Sequence, residues 1–211
     1  MSRHERRYLR YLERHKKQGT TTASYSAGGA RASARDVASA ANAPIHESLV
    51  PANLFEHGIG NLLFSRSMPD GRIAVAGFLL DLYCLGVKNA FFHIMTRDEY
   101  AEAMRSWTAA QEMRPMDSAC LRKLVEGGVA YARELGFSPH ADYAEASQIF
   151  GDVQSTACSW HFEYGRDGKP FYVSGPHEAA AQVQAIVKQL ERRLGPGNFD
   201  YLVLEGPAGE F

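Results

Sequence analysis

Asp81 interrupts a run, 73–85, that is otherwise largely apolar on both of its alternating faces. A carboxylate in such surroundings must be paired, hydrogen-bonded or placed at a site. His93 falls on the next expected strand and Lys88 in the turn between them. An Asp81–His93 pair across neighbouring strands would orient an imidazole for general-base work. The competing structural role is an Asp81 that accepts amides of the 86–89 turn or pairs with Lys88. His161 and Glu163 stand two apart on an expected strand, where alternate side chains share a face. Asp81, His93, His161 and Glu163 are therefore the candidate catalytic groups of a small hydrolase-type enzyme, although an exposed polar strand face explains the last pair as well. His140 and Asp142 stand two apart at an expected helix start, which does not put them on one face. Cys158-Ser159-Trp160-His161 has a zinc-like spacing, but a structural zinc needs four ligands. Cys84, Cys120, His93 and His140 supply no second pair, so no metal and no cofactor is expected. Ser174-Gly175-Pro176 precedes a helix whose first amides would suit an anion. No Gly-x-Ser-x-Gly elbow, His-Glu-x-x-His pair or phosphate loop accompanies it.

Charge gives a stronger signal than any of these spacings. The 211 residues sum to −1, yet residues 1–35 carry nine Lys/Arg against two acids. The remainder carries fourteen bases and twenty-two acids, so a +7 leader precedes a −8 body. Arg3, Arg6, Arg7, Arg10, Arg14, Lys16 and Lys17 crowd its first half, where Tyr8, Leu12 and His15 have helical spacing. Over 18–43, nineteen of twenty-six residues are Ala, Gly, Ser or Thr, a composition that buries too little to offset ordering entropy. The expectation is a basic, largely disordered or partner-dependent arm over 1–43 and one globular domain over 44–211. A basic arm on an acidic body is the asymmetry of a tail that meets a polyanion. The same composition also fits an organellar transit peptide or a tail with no partner.

The positioning elements follow from periodicity. Residues 61–66 and 72–83 flank Met68-Pro69-Asp70-Gly71, a hairpin whose Asp-Gly supplies the φ > 0 position. Residues 91–95 make a third strand beyond the 86–89 turn. Thr96 and Glu99 form a capping-box pattern that opens a helix to about 113, with Tyr100, Met104 and Trp107 on one side. Asp117 or Ser118 opens the next helix, which Gly136 stops, and its internal Gly127-Gly128 implies close packing against another element. A third short helix starts at Ser138-Pro139 and ends near Gly151. Residues 161–164 and 171–173, joined by a 165–168 turn, read as a second hairpin. A last helix over 176–194 ends at Gly195, and 201–204 is a closing strand. The fold class is α+β: an antiparallel or mixed sheet built from two hairpins and packed against about four helices. Apolar runs are too short to span a bilayer, so no membrane contact is expected. Three cysteines and a leader without an apolar core point to a reducing, cytoplasmic setting and against a disulfide-built domain.

Pro44-Ile45-His46-Glu47, the hairpin Pro69-Asp70-Gly71-Arg72-Ile73-Ala74 and the run from Phe78-Leu79-Leu80-Asp81 through Cys84-Leu85-Gly86-Val87-Lys88 to Phe91-Phe92 resemble a family of uncharacterised bacterial proteins. Lys123-Leu124-Val125-Glu126-Gly127-Gly128 and the 165–176 segment fit the same pattern. The resemblance spans roughly 44–205. It implies a bacterial cytosolic protein with a domain behind a Lys/Arg-rich arm, weakens the transit-peptide reading, and carries no activity or catalytic residues. The favoured function is therefore non-enzymatic association with RNA or a ribonucleoprotein through the arm. A small enzyme and a protein-interaction module are the alternatives.

Overall fold

The structure is a computed structural model that describes residues 33–175 and 178–203. It begins with a helix inside the segment expected to be a linker. Ser33 caps α1 (Ala34–Ala41) and forms a reciprocal capping box with Asp36, while Val37 and Ala40 are buried against the body. Small residues suffice here because the helix lies close to its neighbours. Folded structure therefore starts ahead of Pro44, and the basic residues 3–17 lie outside the described residues.

Five strands form the main sheet: β1 (Ile45–Pro51), β2 (Ile59–Ser67), β3 (Ile73–Asp81), β4 (Gly86–Met95) and β5 (Met113–Pro115). Their order is β4-β3-β2-β1-β5, and every pairing is antiparallel. The one-turn helix α2 (Leu54–His57) links β1 to β2. At the β2–β3 turn Gly71 adopts φ 88°, and Asp70 accepts the Arg72 amide and pairs with its guanidinium. The next reversal lies at 82–85, and 86–89 is already strand; β4 thus starts earlier than the sequence pattern predicts.

Helix α3 (Arg97–Ala110) starts at the Thr96–Glu99 capping box, and α4 (Ser118–Glu134) starts at Asp117, whose side chain accepts two amides. They cover opposite faces of the sheet. Leu62, Phe64, Ala76, Phe78 and Leu80 pack with Leu121, Leu124, Val125 and Phe150, whereas Ile73 and Val75 pack with Tyr100 and Ala103. The glycines of α4 do what their spacing implies. A Cβ on Gly127 would collide with the Tyr164 hydroxyl, and Gly86, at φ 64°, brings β4 so close that its Cβ would sit 2.7 Å from the Gly128 carbonyl oxygen.

Beyond α4, Ser138-Pro139 does not open a helix. The short α5 (Tyr143–Ala146) starts later and runs into a 3-10 turn, Ser147–Phe150. The expected second hairpin does not form either. Residues 161–164 are not in a strand, and β6 (Phe171–Val173) pairs parallel with β7 (Asp200–Leu202) across α6 (Ala180–Leu194). That C-terminal layer builds its own apolar cluster from Cys84, Leu135, Tyr172, Val183, Leu190 and Phe199. No helix among the described residues is long and apolar enough to cross a membrane.

Candidate functional site

Asp81 is buried, and its carboxylate gathers the chain that follows it. Oδ1 accepts the amides of Tyr83 (2.9 Å) and Cys84 (3.1 Å), and Oδ2 that of Leu85 (3.2 Å). This aspartate-centred turn closes the β3–β4 reversal, because a short acidic side chain satisfies amides that neither strand can pair. Burial pushes the Asp81 carboxyl above the usual carboxylate range, against the pull of Lys88 and the three amides. The Lys88 ammonium sits 2.7 Å from Oε1 of Glu178, and Oε2 of Glu178 accepts the Tyr172 hydroxyl at 2.5 Å. Burial opposes ionisation of Glu178, but the Lys88 charge and the two hydrogen bonds outweigh it, so its carboxyl sits below the ordinary value. The Cys84 thiol beside this chain is pushed up by burial and the Asp81 charge, so it is not a ready nucleophile. Lys88, Glu178 and Tyr172 form an ammonium–carboxylate–phenol chain that joins the sheet to the C-terminal layer. Sequence spacing found Asp81 and Lys88. It missed Glu178 and Tyr172, which come from elements some ninety residues away.

Asp81 and His93 do not share a site. His93 lies opposite Val75 and Asp81 opposite Gly86, so six residues of β3, roughly 20 Å, separate them. His93 instead stacks on Phe91 at 5.3 Å, half-buried, and burial lowers its pKa. His161 and Glu163 are exposed on either side of the buried Phe162, in an irregular segment rather than the expected strand. His140 and Asp142 are local partners: the Asp142 amide donates to Nδ1 of His140. The zinc-like spacing at Cys158 is resolved differently, because Cys158 is bonded to Cys120 across 38 residues. A disulfide sulfur offers no thiolate to a metal, and the odd cysteine, Cys84, is left buried.

A second polar cluster had no clear sequence signal. The Tyr100 hydroxyl, delivered by α3, donates to Oε2 of Glu47 at 2.5 Å and lies 3.1 Å from the Ser65 hydroxyl. His46 meets the Tyr100 ring edge-on at 5.3 Å. A bulge between Ile45 and Glu47 shifts the β1 register there. The cluster tethers α3 to the sheet, with Tyr100 and Ser65 both buried.

Many cations of the body are already engaged. Arg66 grips the carbonyls of Ala43, Ile149 and Phe150; Arg122 holds Glu126 and the carbonyls of Gly151 and Val153. Arg72 pairs with Asp70, Lys88 with Glu178, Arg105 with Glu102 and Arg114 with Glu112. Comparison of the chain with family models, curated proteins and solved structures found no match.

Proposed function

We propose that the protein associates with nucleic acid, as RNA or a ribonucleoprotein, through its basic leader and without catalysing a reaction. The observation that carries this is charge segregation: +7 over residues 1–35 against −8 over the rest. The internal engagement of Arg66, Lys88 and Arg122 supports it, since these largely covered cations are not left over for a phosphate. Clustered Lys and Arg gain affinity by releasing condensed counterions, with little sequence preference. A cytoplasmic setting belongs to this proposal. There the Cys120–Cys158 bridge must withstand reduction, and burial of both half-cystines restricts thiol access.

The test is the salt dependence of binding to a single-stranded RNA. Neutralising up to seven phosphates gives a log–log slope of about −5. Replacing Arg3, Arg6, Arg7, Arg10, Arg14, Lys16 and Lys17 by Gln abolishes most of the affinity and the slope with it. Salt-independent binding, or unchanged binding by that variant, overturns the proposal.

A further inference from the structure

The chain contains two Asp-Gly pairs, Asp70-Gly71 and Asp167-Gly168, and the fold treats them in opposite ways. At the β2–β3 turn the carboxylate and the amide that follows it are both engaged. Asp70 accepts the Arg72 amide at 3.1 Å and the Arg72 guanidinium at 2.7 and 2.8 Å, while the Gly71 amide donates to the Met68 carbonyl at 3.0 Å. At Asp167-Gly168 neither group is engaged. Residues 166–169 make a two-residue reversal, closed by the Arg166 amide on the Lys169 carbonyl (2.7 Å) and the Lys169 amide on the Arg166 carbonyl (3.0 Å). Its tip residues take φ 53° and 78°, a left-handed conformation that such a tip demands and that aspartate and glycine tolerate. Both are exposed, and among the described residues the Asp167 carboxylate and the Gly168 amide have no hydrogen-bond or ion-pair partner. A Cβ on Gly71 or on Gly168 would meet nothing within 4 Å, so engagement and not crowding separates the two pairs.

We propose that Asp167-Gly168 is a site of spontaneous aspartate isomerisation in the folded protein, and that Asp70-Gly71 is protected from the same reaction. The Gly168 amide nitrogen gives up its proton and attacks Cγ of Asp167. A C–N bond forms, the protonated carboxyl group loses its hydroxyl as water, and a five-membered succinimide closes. Water then adds to one of the two ring carbonyls. Opening at Cγ restores aspartate, whereas opening at the main-chain carbonyl leaves the chain running through Cβ and Cγ as isoaspartate. The water lost in the first step is regained in the second, and no oxidant or second substrate is needed. Glycine at the attacking position carries no side chain to hinder the approach. At Asp70 the hydrogen bonds to Arg72 hold the carboxyl below its ordinary value, so it stays ionised and lacks the hydroxyl that must leave. The extra backbone atom of an isoaspartate takes residues 166 and 169 out of register and lifts the Arg166 guanidinium from the Phe171 ring, over which it lies at 3.4 Å. The change stays local, because the Gly165 amide on the Leu82 carbonyl (2.9 Å) and the Phe171 amide on the Tyr83 carbonyl (3.0 Å) pin both ends of the turn.

The experiment ages the full chain at about pH 5, roughly one unit above the ordinary aspartate value, and follows two chymotryptic peptides, 165–171 and 65–78, by chromatography and mass spectrometry. Isoaspartate has the mass of aspartate but elutes separately, and the succinimide is one water lighter. The 165–171 peptide converts at least roughly ten-fold faster than 65–78, because the hydrogen bonds of Asp70 and Gly71 must break before they can react. In urea the two rates converge, since the unfolded chain engages neither pair. Arg72→Gln speeds conversion of 65–78 in the folded protein. Asp167→Glu abolishes it in 165–171, because a glutamate would have to close a six-membered ring, and leaves 65–78 unchanged. Equal rates for the two peptides in the folded chain overturn the proposal. So does a 165–171 rate that is as strongly suppressed by folding as that of 65–78, or a folded chain in which neither peptide converts while both do in urea.

Discussion

Arg66 is the most heavily engaged side chain of the body. It is 3% exposed, and its guanidinium donates Nε to the Ile149 carbonyl (2.7 Å), Nη1 to Ala43 (2.5 Å) and Nη2 to Phe150 (2.7 Å). One planar cation thus satisfies carbonyls of the 3-10 turn and of the stretch after α1, and its remaining ion pair, with Asp152, reaches solvent. Arg66→Met keeps the length but takes the guanidinium from the carbonyls of Ala43 and Ile149, leaving Phe150 only the Val153 amide, at a cost of about 3–5 kcal/mol. Arg66→Lys does not rescue it, because a point ammonium cannot reproduce the fork. Urea unfolding reads both; a loss in the Met variant below about 1 kcal/mol would refute the account. Glu178 makes the second residue-scale prediction, through pH. Its folded pKa lies below the unfolded value, so its ionised form stabilises the fold near neutrality. That contribution disappears as pH falls through the folded value. The stability gap between parent and Glu178→Gln therefore closes on acidification. A gap that stays constant from neutral pH to below the carboxylate range would show that Glu178 contributes no such linkage.

At the scale of elements, the Gly86–Gly128 crossing is the contact that fixes where β4 meets α4. Gly86→Ala strains a φ of 64° and drives a Cβ against the Gly128 carbonyl and Ala132, costing about 2–4 kcal/mol in thermal or urea unfolding. The disulfide is the other element-scale tie. Closing 38 residues stabilises the fold by roughly 4 kcal/mol, so the Cys120→Ser/Cys158→Ser double variant unfolds at correspondingly lower urea and loosens the 152–164 segment. An unchanged midpoint would mean that the bridge constrains nothing. What sequence made legible at this scale was whatever is local. The Asp70-Gly71 turn, the Thr96–Glu99 box, the Asp117 cap and the Gly136 stop all lie where their spacing places them. The α1 helix carries the same capping pattern at Ser33 and Asp36, but its Ala/Ser composition masks a helix that owes its burial to neighbours. Cys120 pairing with Cys158, and β6 with β7, join residues about thirty or more apart with no periodicity between them. The candidate site suffered most from this. Asp81 was recognised as an acid needing partners, yet its partners are the amides next to it, and the His93 expected beside it lies at the far end of the strand.

At the scale of the whole molecule, function hangs on whether the leader's charge is spent inside the chain. A body of net −8 attracts a leader of net +7, and at low ionic strength that attraction competes with any external polyanion. Two situations follow, with opposite thermal signatures. If body carboxylates already neutralise the leader, replacing its seven cations by Gln lowers the melting temperature in dilute buffer and has no effect once salt screens the attraction. If the leader's charge is left for a ligand, the same replacement changes nothing at either ionic strength. The nucleic-acid proposal requires the second situation: equal melting temperatures for parent and variant at about 20 mM and about 500 mM salt, Debye lengths of roughly 20 Å and 4 Å. A salt-reversible loss in the variant would show that the leader is held by its own body, and the nucleic-acid proposal would fall with it.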